Sequence, residues 1–195
     1  MFQEEDIIEI TNAINKILEK DKVLIVAIEG NCGSGKSTLA SSLEKVYNCN
    51  TFRMDNFFLR PEQKTKKRLQ EIGGNIDYVR FKNEVMDNLI KSVSFRYQIY
   101  DCFTEKLTDY IYVNPKKLNI VEGVYSMHPA LKKFYDLKIF LRINAKIQKQ
   151  RILERNGEKM AKRFLEEWIP LENKYFLNLG IKDKCDIVID TSYRW

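Results

Sequence analysis

A parallel α/β fold, one sheet with helices on both faces, is predicted by three features of this 195-residue chain. Short, continuous apolar runs recur along it, as strands buried on both faces require. Helical periodicity fills the segments between those runs. The first run also leads straight into a glycine-rich loop and then a helix, the order of elements at which such sheets bind phosphate.

Taken in order, Ile7, Ile10, Ile14, Ile17 and Leu18 recur at helical spacing and predict an amphipathic helix lying against the domain. Val23–Ile28 is unbroken, rich in β-branched residues, and reads as a buried strand. A helix over 36–46 follows, then a strand-like stretch ending near Arg53 and a helix over 76–91. Residues 94–113 carry aromatic and β-branched residues on either side of a polar turn, which predicts a β-hairpin beside the main sheet. Strands return at Leu118–Val121, Leu137–Leu141 and Asp186–Ile189, with helices at 144–155 and 159–178 between the last two. One domain spanning 1–195 accommodates them all.

Composition narrows the function classes. With 44% hydrophobic and 31% charged residues and only 8 Gly and 4 Pro, the chain is neither collagen-like nor disordered. Its 33 basic and 27 acidic residues leave a formal charge of +6, which suits an anionic partner without choosing one. The four cysteines, Cys32, Cys49, Cys102 and Cys185, have no metal-site spacing and read as free thiols. The first residues are acidic where a leader would be basic, and no apolar run reaches the roughly 20 residues of a membrane span. A cytoplasmic protein without a membrane partner is therefore expected. Lys64-Thr65-Lys66-Lys67-Arg68 reads as a solvated loop, or as a flap over an anionic ligand. It has no interleaved aromatics, so nucleic acid is not the expected partner.

Gly30-Asn31-Cys32-Gly33-Ser34-Gly35-Lys36-Ser37, followed by Thr38, fits the phosphate-loop pattern in its required strand–loop–helix context. The glycines let backbone N–H groups turn inward around a phosphate, and the helix beginning near Lys36 adds its positive end. Lys36 would reach the β- and γ-phosphates of ATP, with the Ser37 hydroxyl on Mg²⁺. The fold class becomes a three-layer P-loop NTPase. A GTPase would need Asn-Lys-x-Asp, yet the Asn-Lys pairs continue as Asn15-Lys16-Ile17-Leu18 and Asn173-Lys174-Tyr175-Phe176. A transporter signature is also missing, which leaves a small-molecule kinase. Such an enzyme needs a carboxylate for the acceptor hydroxyl and further negative charge for the metal. Asp55 and Glu122 each close an apolar strand and are the candidates. The single histidine, His128, reads as structural, and Trp168 and Tyr175, seven apart on a helix, read as core packing.

The residues from about Val23 to Asp190 resemble the uridine kinase and phosphoribulokinase family, particularly its compact bacterial uridine kinase-like members. The resemblance rests on the phosphate loop, Asp55-Asn56-Phe57-Phe58, Gly73-Gly74-Asn75-Ile76-Asp77-Tyr78, the stretch from Val121 to Pro129, and Arg163-Phe164-Leu165-Glu166-Glu167-Trp168. It implies ATP-dependent phosphorylation of a small hydroxyl compound with Mg²⁺. By position it implies Asp55 as base and Glu122 as a metal partner beside Ser37 and Asp55. Asp77 would grip a sugar diol, with Phe58 and Tyr100 beside the substrate. A lid over about 151–168 would bring Arg151 and Arg155 to the nucleotide and Arg163 to the substrate.

Uridine and cytidine kinases of that family follow Tyr-Asp-Phe closely with His-Ser-Arg, whereas here Tyr100-Asp101-Cys102-Phe103 is followed by Thr104-Glu105-Lys106. The base-reading histidine is absent, and Phe58 replaces a usual tyrosine. The expected acceptor is nucleoside-like. Pantothenate, nicotinamide riboside or a sugar phosphate are alternatives, as is an ATP-binding regulatory module without phosphotransfer. Self-association of copies is compatible with the sequence.

Overall fold

The structure, a computed structural model, describes residues 2–193. Helix α1 (Glu4–Leu18) opens with Glu4, Glu5 and Asp6 at the positive end of its dipole and buries Ile10, Ile14 and Ile17. Strand β1 (Leu24–Gly30) is buried along its whole length, as a central parallel strand must be. It lies between β5 (Leu118–Glu122) and β6 (Leu137–Arg142), with β2 (Cys49–Arg53) and β7 (Ile187–Asp190) on the outside. All four pairings are parallel.

Alternation along β1 divides the core between the two faces of the sheet. Leu24, Val26 and Ile28 meet α1 and the Leu39, Ala40 and Leu43 side of α2 (Lys36–Val46). Ile25 and Ala27 point the other way, toward Phe52, Val121 and Phe140. That second face is covered by Phe81, Val85, Met86 and Leu89 of a helix over 78–91, here α4, and by Tyr175 and Phe176 of α6 (Ile169–Leu179). Each such side chain contributes about 1.5–3 kcal/mol on burial, so these two layers outweigh the surface ion pairs. The hairpin of β3 (Phe95–Asp101) and β4 (Lys106–Val113) forms a separate antiparallel pair. Its turn is fixed by the Asp101 carboxylate, which accepts from the N–H groups of Phe103 and Thr104 at 2.8 and 2.7 Å.

The three layers and the hairpin agree with the expected architecture, and the differences lie in the connections. Helix α4 starts at Tyr78 rather than 76, because Asp77 caps it by accepting from Arg80 N–H, while Ile76 pairs with Phe58 in an isolated bridge. A π-helical turn, Lys82–Met86, interrupts it. The basic run is not wholly loop: Thr65 caps a short helix, α3 (Lys66–Gln70), and the Arg68 guanidinium lies 3.9 Å over the Tyr78 ring. Helix α5 (Ala145–Arg163) breaks at Gly157, close to the expected gap, and a π-helical turn over Phe164–Trp168 joins it to α6. Among the described residues no helix is long and apolar enough to cross a membrane.

Candidate active site

The glycine-rich loop leaves the carboxyl end of β1, at the centre of the sheet. A side chain at Gly30 is excluded: its Cβ would fall 2.1 Å from the Leu141 carbonyl oxygen. Gly35 caps α2, whose amino end therefore faces the loop's concavity. Lys36 is buried, and its ammonium donates to the carbonyls of Gly30 and Asn31 at 2.8 and 3.0 Å. Ser34 is buried as well, with a hydroxyl that has no hydrogen-bond partner. An inward hydroxyl, a cation resting on its own loop and a helix amino terminus together form a cradle for a polyphosphate.

Strand register brings the carboxylates alongside. Glu122 stands level with Ile28 of β1 and Arg53 of β2, so it projects from the same edge of the sheet as the loop. Ser37 donates its hydroxyl proton to Glu122 Oε1 at 3.0 Å, and Arg53 Nε lies 3.9 Å from that oxygen. Burial pushes the Glu122 carboxyl above its ordinary range, Asp55 adds to the rise, and Lys36 and Ser37 oppose it. Asp55 sits in the tight turn Met54–Phe57 just beyond β2. A hydroxyl and two mutually repelling carboxylates make an oxygen donor set that fits a hard divalent cation such as Mg²⁺.

A cavity of about 690 Å³ gathers most of the expected residues: Cys32, Gly33, Ser34, Gly35, Lys36, Ser37, Thr38, Asp55, Phe58, Glu122, Arg151 and Arg155. Arg151 donates to the carbonyls of Gly33 and Thr191, and Arg155 lies 3.8 Å from the Cys32 sulfur. Gly30 and Asn31 stand behind the loop, where their carbonyls hold Lys36. Three further expected residues are not brought to this cavity. Asp77 is spent on the α4 cap and on Gln63, whose amide reaches it at 2.7 Å, and it borders a second cavity of about 580 Å³ with Arg60, Arg68 and Arg80. Tyr100 is buried within the hairpin. Arg163 pairs with Glu167 at 3.3 Å and lies over the Trp168 ring. Trp168 itself lines the main cavity instead of packing in the core, whereas Tyr175 is fully buried as expected.

Four contributors carry no signal that sequence patterning assigns to a site. Glu172 of α6 is buried, lines the cavity and accepts from the Cys32 N–H at 3.1 Å, while Gln148 of α5 donates to the Cys32 carbonyl at 2.9 Å. The tip of the loop is thus clamped between α5 and α6. Burial raises the Glu172 carboxyl. Phe2, ahead of α1, also lines the cavity, its ring 3.5 Å from the position a Gly35 Cβ would occupy. Glu29, an acid ending an otherwise apolar run, is fully buried behind the loop.

A family model described as the phosphoribulokinase / uridine kinase family matches residues 25–163, more than half of the chain. Among solved structures, one described as a "possible uridine kinase" from Bacillus stearothermophilus is similar at 18% identity and a TM-score of 0.65, over 93% of this chain and all of that one. D-glycerate 3-kinase from Cryptococcus neoformans var. grubii aligns at 15% identity and a TM-score of 0.63, over 94% of each chain. Phosphoribulokinase from Rhodobacter spheroides aligns at 13% identity and a TM-score of 0.59, over 88% of this chain and 71% of its own. At these identities the likeness is one of fold.

Proposed function

The chain belongs to the phosphoribulokinase / uridine kinase family, and on that footing we propose that it is an ATP- and magnesium-dependent kinase acting on a hydroxyl of a nucleoside-like small molecule. The observation that carries the reading is the convergence, in one cavity, of the phosphate loop with Lys36, the Ser37–Glu122 pair and Asp55. A module that only bound nucleotide would have no use for an acid at the position of Asp55.

In the proposed reaction the acceptor oxygen forms a bond to the γ-phosphorus of ATP as the bond from that phosphorus to the β,γ-bridging oxygen breaks. ADP departs with the electron pair, and the hydroxyl proton passes to Asp55 and on to solvent. Lys36 exchanges its two loop carbonyls for phosphate oxygens, and the loop amides and Arg155 follow the charge that spreads over the transferred group. Ser37, Glu122 and Asp55 are the groups that would hold magnesium, which when bound neutralises charge on the β- and γ-oxygens. Most of the rate enhancement is then positioning and charge neutralisation.

The lining of the cavity supports the acceptor class. Phe58, Tyr125, Phe164 and Trp168 present rings to it, and Asp55, Glu122 and Glu172 present carboxyl groups. Its lining cations are Lys36, Arg151 and Arg155, and each lies against the phosphate loop. A flat, uncharged acceptor suits such walls better than a glycerate or a sugar phosphate, whose anion would face Asp55 unpaired. An ADP-release screen over nucleosides, sugars, sugar phosphates and vitamin alcohols is expected to give its highest turnover with a nucleoside. An anionic acceptor at the top of that ranking would overturn the assignment. With the true acceptor, Asp55→Asn is expected to lower kcat by about 10²–10⁴-fold while ATP still binds. Near-normal turnover would remove Asp55 from the role of base.

A further inference from the structure

Glu29 occupies the last buried position before the phosphate loop, and its carboxylate is met by donors from three parts of the fold. Gly30 N–H donates to Oε1 at 2.9 Å, which ties the first residue of the loop. Oε2 accepts from Met127 N–H at 3.0 Å, from the Tyr175 hydroxyl at 3.0 Å, and from the Ser126 hydroxyl at 3.4 Å. One side chain therefore joins the loop to the turn after β5 and to α6, the helix that also carries Glu172 against Cys32. No cation is among these partners. Lys36 attracts it through space while bonding to Gly30 and Asn31 instead.

We propose that Glu29 is a positioning residue of the nucleotide site, and that nucleotide and a proton on its carboxylate bind interdependently. The inference rests on the nucleotide-binding half of the function proposed above. Its physical basis is electrostatic. The titratable groups that face Glu29 are Lys36 from α2, Tyr125 from the turn after β5, Tyr135 ahead of β6, Tyr175 from α6 and Cys185 ahead of β7. Burial pushes the three phenols and the thiol upward, so at neutral pH each is uncharged. Lys36 is then the one charge in this set that steadies a Glu29 carboxylate. A nucleotide brings phosphate anions into the cradle and draws Lys36 off the loop carbonyls, and both changes favour the protonated acid. Burial already raises the Glu29 carboxyl to about 7, against the hydrogen bonds and Lys36, so the exchange falls near neutral pH. By reciprocity, protonation must strengthen nucleotide binding by the same factor.

Isothermal titration of the protein with ADP and magnesium at pH 7, in two buffers of different ionisation enthalpy, reads the proton directly. Binding is expected to take up about 0.2–0.5 proton per ADP, since a group with a pKa near 7 starts half protonated. Affinity is expected to fall roughly two- to five-fold from pH 6 to pH 8, as a shift of half to one unit from a pKa near 7 requires. Glu29→Gln should bind ADP with that uptake abolished and the pH profile flattened, the nucleotide's own titration being common to both proteins. Tyr175→Phe removes one donor and keeps the acid, so it should move the midpoint of the profile to higher pH. It also serves as the test should Glu29→Gln fail to fold. Uptake unchanged in a folded Glu29→Gln, or a midpoint unmoved in Tyr175→Phe, would overturn the inference. A wild-type protein that binds no ADP would instead overturn the nucleotide site itself.

Discussion

His128 stacks on Tyr78, with ring centroids 4.0 Å apart and 14° between the planes, and its Nδ1 accepts from the Ala130 N–H at 3.2 Å. Burial, helped by the nearby Arg68 and opposed by Glu71, lowers its pKa to about 4. Between pH 6.5 and 4 the unfolded chain therefore binds a proton that the folded one refuses. The stability His128 contributes is complete above pH 6.5 and is lost as pH falls toward 4, by on the order of 3 kcal/mol. Glu29 runs the other way, its raised carboxyl favouring the folded state below its unfolded pKa and losing that advantage as pH rises through about 7. The two slopes partly cancel, so the check is the difference between proteins. In thermal melts from pH 7 to 4, His128→Asn should lose less stability on acidification than wild type, and a difference in Tm that does not change with pH would assign the acid sensitivity elsewhere. Residues whose spacing encodes chemistry were legible in the sequence: Lys36 and Ser37 follow from the loop pattern, and Glu122 and Asp55 from their positions at strand ends. Glu172, Gln148 and Phe2 were not, because each reaches the site through tertiary packing of a distant segment onto Cys32 or Gly35.

The segment expected to act as a lid is braced at two points and broken between them. Its own small core, Ile152, Ala161 and Ile169, packs on Cys32, and Gln148 and Glu172 hold the Cys32 backbone on its two sides. Between those anchors Gly157 adopts φ 72° and ψ 168°, a conformation essentially reserved for glycine, with nothing within 4 Å of where a Cβ would stand. Gly157→Ala is thus strained without any clash, at about 1–3 kcal/mol. If the lid must re-form this break when it closes, kcat should fall and the KM for ATP rise together. Steady-state kinetics with unchanged constants and a lowered Tm would make Gly157 a static kink. The break itself was legible as the gap between two helical stretches. The π-helical turns at Lys82–Met86 and Phe164–Trp168 were not, because one extra residue shifts the apolar register by a single position, within the scatter of an amphipathic pattern. The second of them ends at Trp168, which lines the cavity.

At the scale of the whole molecule, the segment ahead of β1 belongs to both the core and the site. The family match begins at residue 25, yet α1 closes one face of the sheet through Ile10, Ile14 and Ile17, and Phe2 carries the chain on to the phosphate loop. These two attachments make separable predictions. Ile14 is completely buried, so Ile14→Ala should cost about 2–5 kcal/mol, seen as a Tm lower by roughly 5–20 °C, with little change in the KM for ATP. Phe2 is only partly buried and lines the cavity next to Gly35, and under the proposed function its flat ring would pack against the nucleoside half of ATP. Phe2→Ala should leave the melt within a degree or two and raise the KM for ATP about ten-fold, whereas binding of inorganic tripolyphosphate, which has no base, stays unchanged. Equal weakening of ATP and tripolyphosphate would mean that Phe2 supports the loop and not the nucleoside. No weakening of either would reduce the whole segment to a cover for the sheet.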